Sequence, residues 1–289
     1  MSKRNLAVLI SAYVLLALIV LTSAKAASHR HSVNIRGGHK HPITDCSDLR
    51  IQFDERDAVM RSEEKTLTKS EAAVLQVHPH ENGGVQVVGW DRDTYSVTAC
   101  KAAAGSGDAA ERILSQITMS TENGRVSTKG PADDDDWTVY LLIRSPKSAS
   151  IDLDTMNGPI SLYDVNGKLT ARAHNGPISV DGSSGNVRVH TENGPISVSL
   201  TGKTWSGTGL SADAQNGPLT LMVPNGYQSG FIVESRNYAP MSCQASICDN
   251  ARKTWDDNNR RIEYGSTPAL IRLSTVNGPV SVRDEREKL

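Results

Sequence analysis

Asn157-Gly158-Pro159-Ile160-Ser161-Leu162, Asn175-Gly176-Pro177-Ile178-Ser179-Val180 and Asn193-Gly194-Pro195-Ile196-Ser197-Val198 follow one another at a spacing of 18 residues. Asn216-Gly217-Pro218-Leu219-Thr220-Leu221 and Asn277-Gly278-Pro279-Val280-Ser281-Val282 repeat the same turn and the same alternation further on. A fixed short period marks a repeat architecture, in which each unit buries its apolar face by stacking on its neighbours.

Cut into nines from residue 148, the chain places apolar residues at the fourth and sixth positions each time: Ile151/Leu153, Ile160/Leu162, Leu169/Ala171, Ile178/Val180, Val187/Val189 and Ile196/Val198. Alternation by two is the pattern of a strand with one face in and one face out, and helical spacings of three and four are missing. Asn tolerates a left-handed backbone and Gly adopts one freely, so each Asn-Gly reads as a tight corner. Pro follows Gly only in alternate nines, which makes 18 the repeat and nine its half. The prediction is an all-β chain, a single-stranded β-helix or β-solenoid with about 18 residues per coil in two halves. Asn157, Asn175 and Asn193 are expected to stack at one corner and exchange side-chain hydrogen bonds. Asn-Gly between alternating runs is also a hairpin signal, but hairpins give no reason for near-identical hexapeptides 18 apart.

Followed outward, residues 202–206 read as a five-residue corner insertion, after which Leu210/Ala212 and Leu219/Leu221 restore the phase. Residues 234–267 lose it and read as an excursion from the coil; Ile271/Leu273 and Val280/Val282 recover it. Ile117/Met119 with Asn123-Gly124-Arg125-Val126, and Asn82-Gly83-Gly84-Val85-Gln86-Val87, look like degenerate copies. A short helix capped by Asp108 is expected to cover the first open coil. The division is therefore 1–26, 27–70 as an N-terminal segment, 71–136 as a β-rich part with the helix, and 137–289 as the repeat domain.

Lys3 and Arg4 precede an uncharged apolar run over 6–21 that exits through Ala24-Lys25-Ala26. That order describes a secretory signal peptide cut after Ala26; an uncleaved anchor is the alternative, because the run approaches the lower limit for spanning a bilayer. Either way the repeats lie outside the cytoplasm, in the periplasm, at the cell surface or secreted. Four cysteines suit that compartment. Of three possible connectivities, Cys243 with Cys248 as a local pair leaves Cys46 to join Cys100. No Cys/His spacing supports structural zinc.

Across 289 residues, 31 Lys and Arg face 32 Asp and Glu, so no electrostatic footprint for nucleic acid exists. Aromatics are 4%, few for a stacking surface. The pairs His29/His31, His39/His41 and His78/His80 could grip a metal if each lay on a strand, but the first two fall in a Gly-, Arg- and Ser-containing stretch. Asp133 to Asp136 lack the glycine spacing of a calcium roll and read as a solvated acidic loop. On the outward positions, Asp181, Arg188 and His190 are the residues that could form a polysaccharide-cleaving cluster. No cofactor is expected.

The repeats, the segment Gly217-Pro218-Leu219-Thr220-Leu221-Met222-Val223-Pro224-Asn225-Gly226-Tyr227 and the closing stretch from Ile271 to Val282 resemble the bacterial putative-adhesin family of β-helical proteins, a domain of unknown function. The resemblance covers about 148–284. It implies a right-handed β-helix at the cell envelope, and it supplies no catalytic residue. The resulting expectation is a non-enzymatic adhesion or envelope-interaction scaffold whose partner is a surface, a glycan or an envelope protein. A β-helical polysaccharide lyase or hydrolase, and a periplasmic partner of an envelope-stress signalling system, are the alternatives.

Overall fold

The computed structural model describes residues 32–36, 41–132, 136–237, 239–256, 259–265, 268 and 270–285. The expected signal peptide over 1–26, His29, His31, His39 and Asp133 to Asp135 lie outside them.

Three short strands, β1 (Val33–Arg36), β2 (Arg50–Phe53) and β3 (Arg56–Asp57), form a small antiparallel sheet. Two larger sheets make up the rest. Their first members are β4 (Val59–Thr68), β5 (Leu75–His78), β6 (Val85–Trp90) and β7 (Thr94–Ala103). Helix α1 (Asp108–Gln116) follows, then β8 (Thr118–Ser120), β9 (Arg125–Lys129) and β10 (Trp137–Pro146). Gly107, not Asp108, occupies the N-cap, and no side chain caps the helix. Asp108 instead sits in the first turn, where its charge complements the helix dipole.

The repeats then alternate between the sheets. β11 (Ser150–Thr155), β13 (Lys168–Asn175), β15 (Asn186–Asn193) and β17 (Gly209–Asn216) join one sheet. β12 (Ile160–Tyr163), β14 (Ile178–Asp181), β16 (Ile196–Ser199) and β18 (Leu219–Val223) join the other. Every step is parallel and in register with the sequence repeat: Ile160 pairs with Ile178, Ile178 with Ile196 and Ile196 with Leu219. We call the sheet containing β12 the hydroxyl sheet and the one containing β11 the charged sheet, after their outer faces.

Ile160, Leu162, Ile178, Val180, Val187, Val189, Ile196 and Val198 all point between the sheets and are at most 2% exposed. They belong to one continuous core that runs from Leu67 to Val282. The alternating pattern therefore converts directly into burial, at about 1.5–3 kcal/mol for each large aliphatic side chain.

The Asn-Gly corners achieve close stacking by a different means from the left-handed turn expected. None of Gly158, Gly176, Gly194, Gly217 and Gly278 has positive φ. A Cβ on Gly176 would lie 2.2 Å from the Gly158 carbonyl oxygen, and one on Gly194 would lie 2.2 Å from that of Gly176. Glycine is required because successive rungs touch backbone to backbone. Beside this column runs a chain of side-chain amides in which Asn157, Asn175, Asn193, Asn216 and Asn277 each donate Nδ2 to the Oδ1 of the rung before, at 2.9–3.3 Å, beginning from Asn82. Gly176 and Gly194 N–H groups bond the opposite way, to the carbonyls of Asn193 and Asn216. At the insertion over 202–206, Trp205 is buried and its indole N–H donates to Gly185 O at 3.2 Å.

Residues 234–267, expected as an excursion, divide between a further parallel step and an antiparallel pair that does depart from the repeat. β19 (Phe231–Arg236) and β20 (Met241–Cys243) form a further rung, and the antiparallel pair β21 (Arg252–Trp255) and β22 (Asn259–Tyr264) extends the charged sheet from β19. The final strands, β23 (Ile271–Asn277) and β24 (Val280–Asp284), do not follow that rung. They lie inside it: β23 between β17 and β19, and β24 between β18 and β20. The other end is built likewise, with β5 between β11 and β9, and β6 between β12 and β10. There the antiparallel strands β8, β7 and β4, with α1, close the stack. The stretch around Ile117 and Met119 is thus antiparallel edge rather than a copy of the parallel repeat.

Disulfides join Cys46 to Cys100 and Cys243 to Cys248. Asp45 and Asp48 form a reciprocal capping box around the 3₁₀ turn Cys46–Asp48, which fixes Cys46 against β7. Such bonds belong to an oxidising, extracytoplasmic compartment. Among the described residues no helix is long and apolar enough to cross a membrane.

Candidate functional site

Because the inward positions are filled by the core, the two large sheets offer a partner only their outer faces. On the hydroxyl sheet the residue between the two core positions forms one straight row: Gln86, Ser161, Ser179, Ser197, Thr220, Ser281 and Ser242. Neighbours in such a row stand about 4.8 Å apart, and Ser179 Oγ reaches Ser161 Oγ at 3.1 Å. Pro177, Pro195, Pro218 and Pro279 border the row on one side and are exposed. They stand at strand starts, where a missing N–H costs no ladder bond.

One end of this face is already occupied by the chain itself. Gln86 is buried and grips the backbone of Ile43, accepting from its N–H at 2.9 Å and donating to its carbonyl at 2.7 Å. Tyr140 and Leu142 point outward from β10 and pack under Cys46, Leu49, Ile51 and Phe53. Burial, reinforced by the nearby Tyr163, pushes the Tyr140 phenol well above its ordinary value, while a hydrogen bond with Ser161 opposes that shift. The N-terminal segment therefore covers the start of the row, and Ser179 onward is left open. The clamp has a faint sequence signal, since Gln86 stands where the later repeats carry Ser161 or Ser179.

The charged sheet presents different chemistry. Asp152, Thr170, Arg188, Ser211 and Arg272 align in one row, and Asp154, Arg172, His190, Asp213 and Ser274 in the next. Arg172 pairs with Asp152 at 2.9 Å, and His174 Nδ1 with Glu192 Oε2 at 2.8 Å. Exposed pairs of this kind contribute little stability. Their effect is to give the face alternating sign with no strong net field.

The three residues considered for polysaccharide cleavage do not come together. Asp181 is on β14 of the hydroxyl sheet, whereas Arg188 and His190 are on β15 of the charged sheet, so their side chains leave opposite outer faces. A general acid or base must reach the reacting proton within one hydrogen bond or one water, and this arrangement excludes a joint role. The His80 ring packs against Trp137 with centroids 3.9 Å apart and the planes tilted by 34°. Among the described residues no group of three or more His, Cys, Asp and Glu is placed to hold a metal. Two concave features among the described residues are open to solvent, one lined by Gly89, Lys147, Asp164, Asn166, Gly182 and Ser184 at the corner beside β6, and one by Gln76, Thr118, Glu122 and Arg125 near β8.

No protein-family model matches the chain, and no curated protein matches it in sequence. Among solved structures it is similar to a putative cell adhesion protein from Clostridium sporogenes, with 11% identity and a TM-score of 0.42 over 78% of this chain and 100% of that one. It is also similar to a putative adhesin from Bacteroides fragilis, with 10% identity and a TM-score of 0.31 over 78% and 97% of the two chains. A putative adhesin from Parabacteroides merdae gives 10% identity and a TM-score of 0.27 over 78% and 96%.

Proposed function

We propose that the two parallel stacks are the two sides of a single-stranded β-solenoid, with about 18 residues per coil, and that the protein is an exported, non-catalytic scaffold which binds an extended partner along its outer faces. A right-handed coil follows the general preference of parallel crossovers. The partner is a surface glycan or an envelope protein, and adhesion or envelope attachment is the role. The observation that carries this reading is the straight row Ser179, Ser197, Thr220, Ser281 and Ser242, five hydroxyls in register on an open face. A periodic donor and acceptor row suits a periodic ligand and needs no pocket.

The test is a glycan and cell-wall binding screen on the mature protein, run beside an assay for newly released reducing ends. Binding that falls stepwise as Ser179, Ser197 and Thr220 are replaced by Val is the expected result, with no sugar released. Turnover of pectin, alginate or peptidoglycan would replace the scaffold with an enzyme, and binding lost only on changing Arg172 and Arg188 would move the site to the charged sheet.

A further inference from the structure

The C-terminal coil fills a gap that the rest of the chain leaves open. In chain order β19 and β20 are laid down directly after β17 and β18, yet they stand one rung too far along to pair with them. Towards the repeats, their only ladder partners among the described residues are β23 and β24. The whole terminal rung, together with the β21–β22 pair hanging from it, is thus tied into the ladders through residues 271–284. At the opposite end the inserted rung β5–β6 precedes its outer neighbour in the chain, so the outer rung can simply add to it. At the C-terminal end that order is reversed.

Until 271–284 arrive, the gap exposes open parallel edges on both sides and in both sheets. An open edge pairs with any strand of fitting pattern. The pattern that fits is specific: an Asn to receive Asn237 and reach Asn216, a Gly to lie against Gly217, and inward apolar residues two apart. A second copy of this chain carries a segment that meets all of these requirements, its own C-terminal coil. Residues 265–270 alone connect that coil to β22.

We infer that copies of this protein exchange their C-terminal coils, residues 271–284 of one chain completing the gap in the other and the reverse. Reciprocal exchange reproduces each ladder bond, the amide chain and the glycine contact in its entirety. The difference between exchanged and self-inserted forms is confined to the connection and to the entropy of association, which is the condition under which swapping competes. The recognised partner is chemically defined as an Asn-Gly-Pro coil with alternating aliphatic residues.

Thr220 and Ser281 are register neighbours on the outer hydroxyl face, at a strand separation within disulfide reach. A full-length chain carrying Thr220→Cys and another carrying Ser281→Cys are unfolded together in urea, refolded as a mixture and oxidised. The expected product is a heterodimer whose 220–281 disulfide is found by peptide mapping, in a yield that rises roughly in proportion to chain concentration at low conversion. Ser161→Cys mixed with Ser281→Cys is the control, because Ser161 lies several rungs away. Crosslinking within single Thr220→Cys/Ser281→Cys chains, with no heterodimer above the control in the mixture, overturns the inference. The unsubstituted chain, refolded at the same concentrations, supplies a second measurement by native mass spectrometry. There a concentration-dependent dimer supports exchange, and monomer alone rejects it.

Discussion

Asn277 donates its side-chain amide to Asn216 Oδ1 at 2.9 Å although the two residues are 61 positions apart, and Asn237 in turn donates to Asn277 at 2.7 Å. The amide chain thus visits the rungs in spatial order, 216, 277 and 237, and not in chain order. It behaves as a continuous strip that holds one corner of the stack whichever part of the sequence supplies the rung.

A residue in the middle of that strip has two bonds to lose. Asn193 donates to Asn175 at 2.9 Å and accepts from Asn216 at 3.0 Å. Asn193→Ala should lower stability by about 1–2 kcal/mol, taking the usual net value for each bond at an exposed position. Urea unfolding of the purified protein measures it. A change within ~0.3 kcal/mol of zero would show that the side chains merely stack and that the backbone bonds alone hold the corner.

The glycine column makes a sharper claim. Gly176→Ala would place Cβ 2.2 Å from a backbone oxygen that has no freedom to move without separating two rungs. Gly202 has φ of 68° with nothing near its Cβ position, so Gly202→Ala meets only the left-handed penalty of about 1–2 kcal/mol. Gly176→Ala should cost distinctly more, on the order of 3 kcal/mol or above by analogy with overpacked cores. Paired denaturant melts decide the order, and equal losses would mean that backbone conformation rather than close approach selects glycine at the corner.

These two corners also show what could be read from the residues and what could not. The rungs over 150–221 were legible because Ile160, Ile178 and Ile196 recur at a fixed spacing and a strand's two-residue period admits one facing. The residues alone do not decide the role of Gly176, since Asn-Gly is the chemistry of a left-handed turn and of a close backbone stack alike. Insertion of β23 between β17 and β19 has no local signal, because a coil of the same pattern fits any rung equally well. Phase was lost over 234–267 for a related reason: the rung β19–β20 is joined to the antiparallel β21–β22, whose spacing obeys no repeat. The separation of Asp181 from Arg188 follows from which nine-residue half of the repeat each occupies, and only the assignment of halves to two sheets reveals it.

The two disulfides should differ in their contribution. Cys46 and Cys100 are 54 positions apart, and Cys243 and Cys248 are 5 apart. Chain entropy alone assigns about 4 kcal/mol to the longer closure and about 2 kcal/mol to the shorter. Cys46→Ala with Cys100→Ala should therefore lower the melting point more than Cys243→Ala with Cys248→Ala. It should also raise hydrogen exchange in β1–β3, whose packing against Tyr140 and Leu142 depends on that anchor. Unchanged protection in β2 would show that the Gln86–Ile43 bonds and the apolar contacts hold the segment without the covalent link.

Acid should loosen the N-terminal closure. Lys101 donates to Ile117 O at 2.7 Å and Lys65 donates to Met119 O, so the two ammonium groups tie the end of α1 and β8 to β7 and β4. Glu63 stands between them, 2.6 Å from Lys101 and 3.5 Å from Lys65. Burial opposes its ionisation, but the hydrogen bond and charge of Lys101, joined by Lys65, outweigh that and hold the carboxyl below its ordinary value of 4.5. A carboxyl whose folded pKa is depressed contributes stability that is complete above the unfolded value and disappears as pH falls through the folded one. Wild-type stability should thus decline as pH drops below about 4.5, with hydrogen exchange rising at Ile117 and Met119. Glu63→Gln should start less stable at neutral pH and show a flatter profile through the same window. An identical acid profile in the variant would assign the pH dependence to other carboxylates and remove Glu63 from the closure.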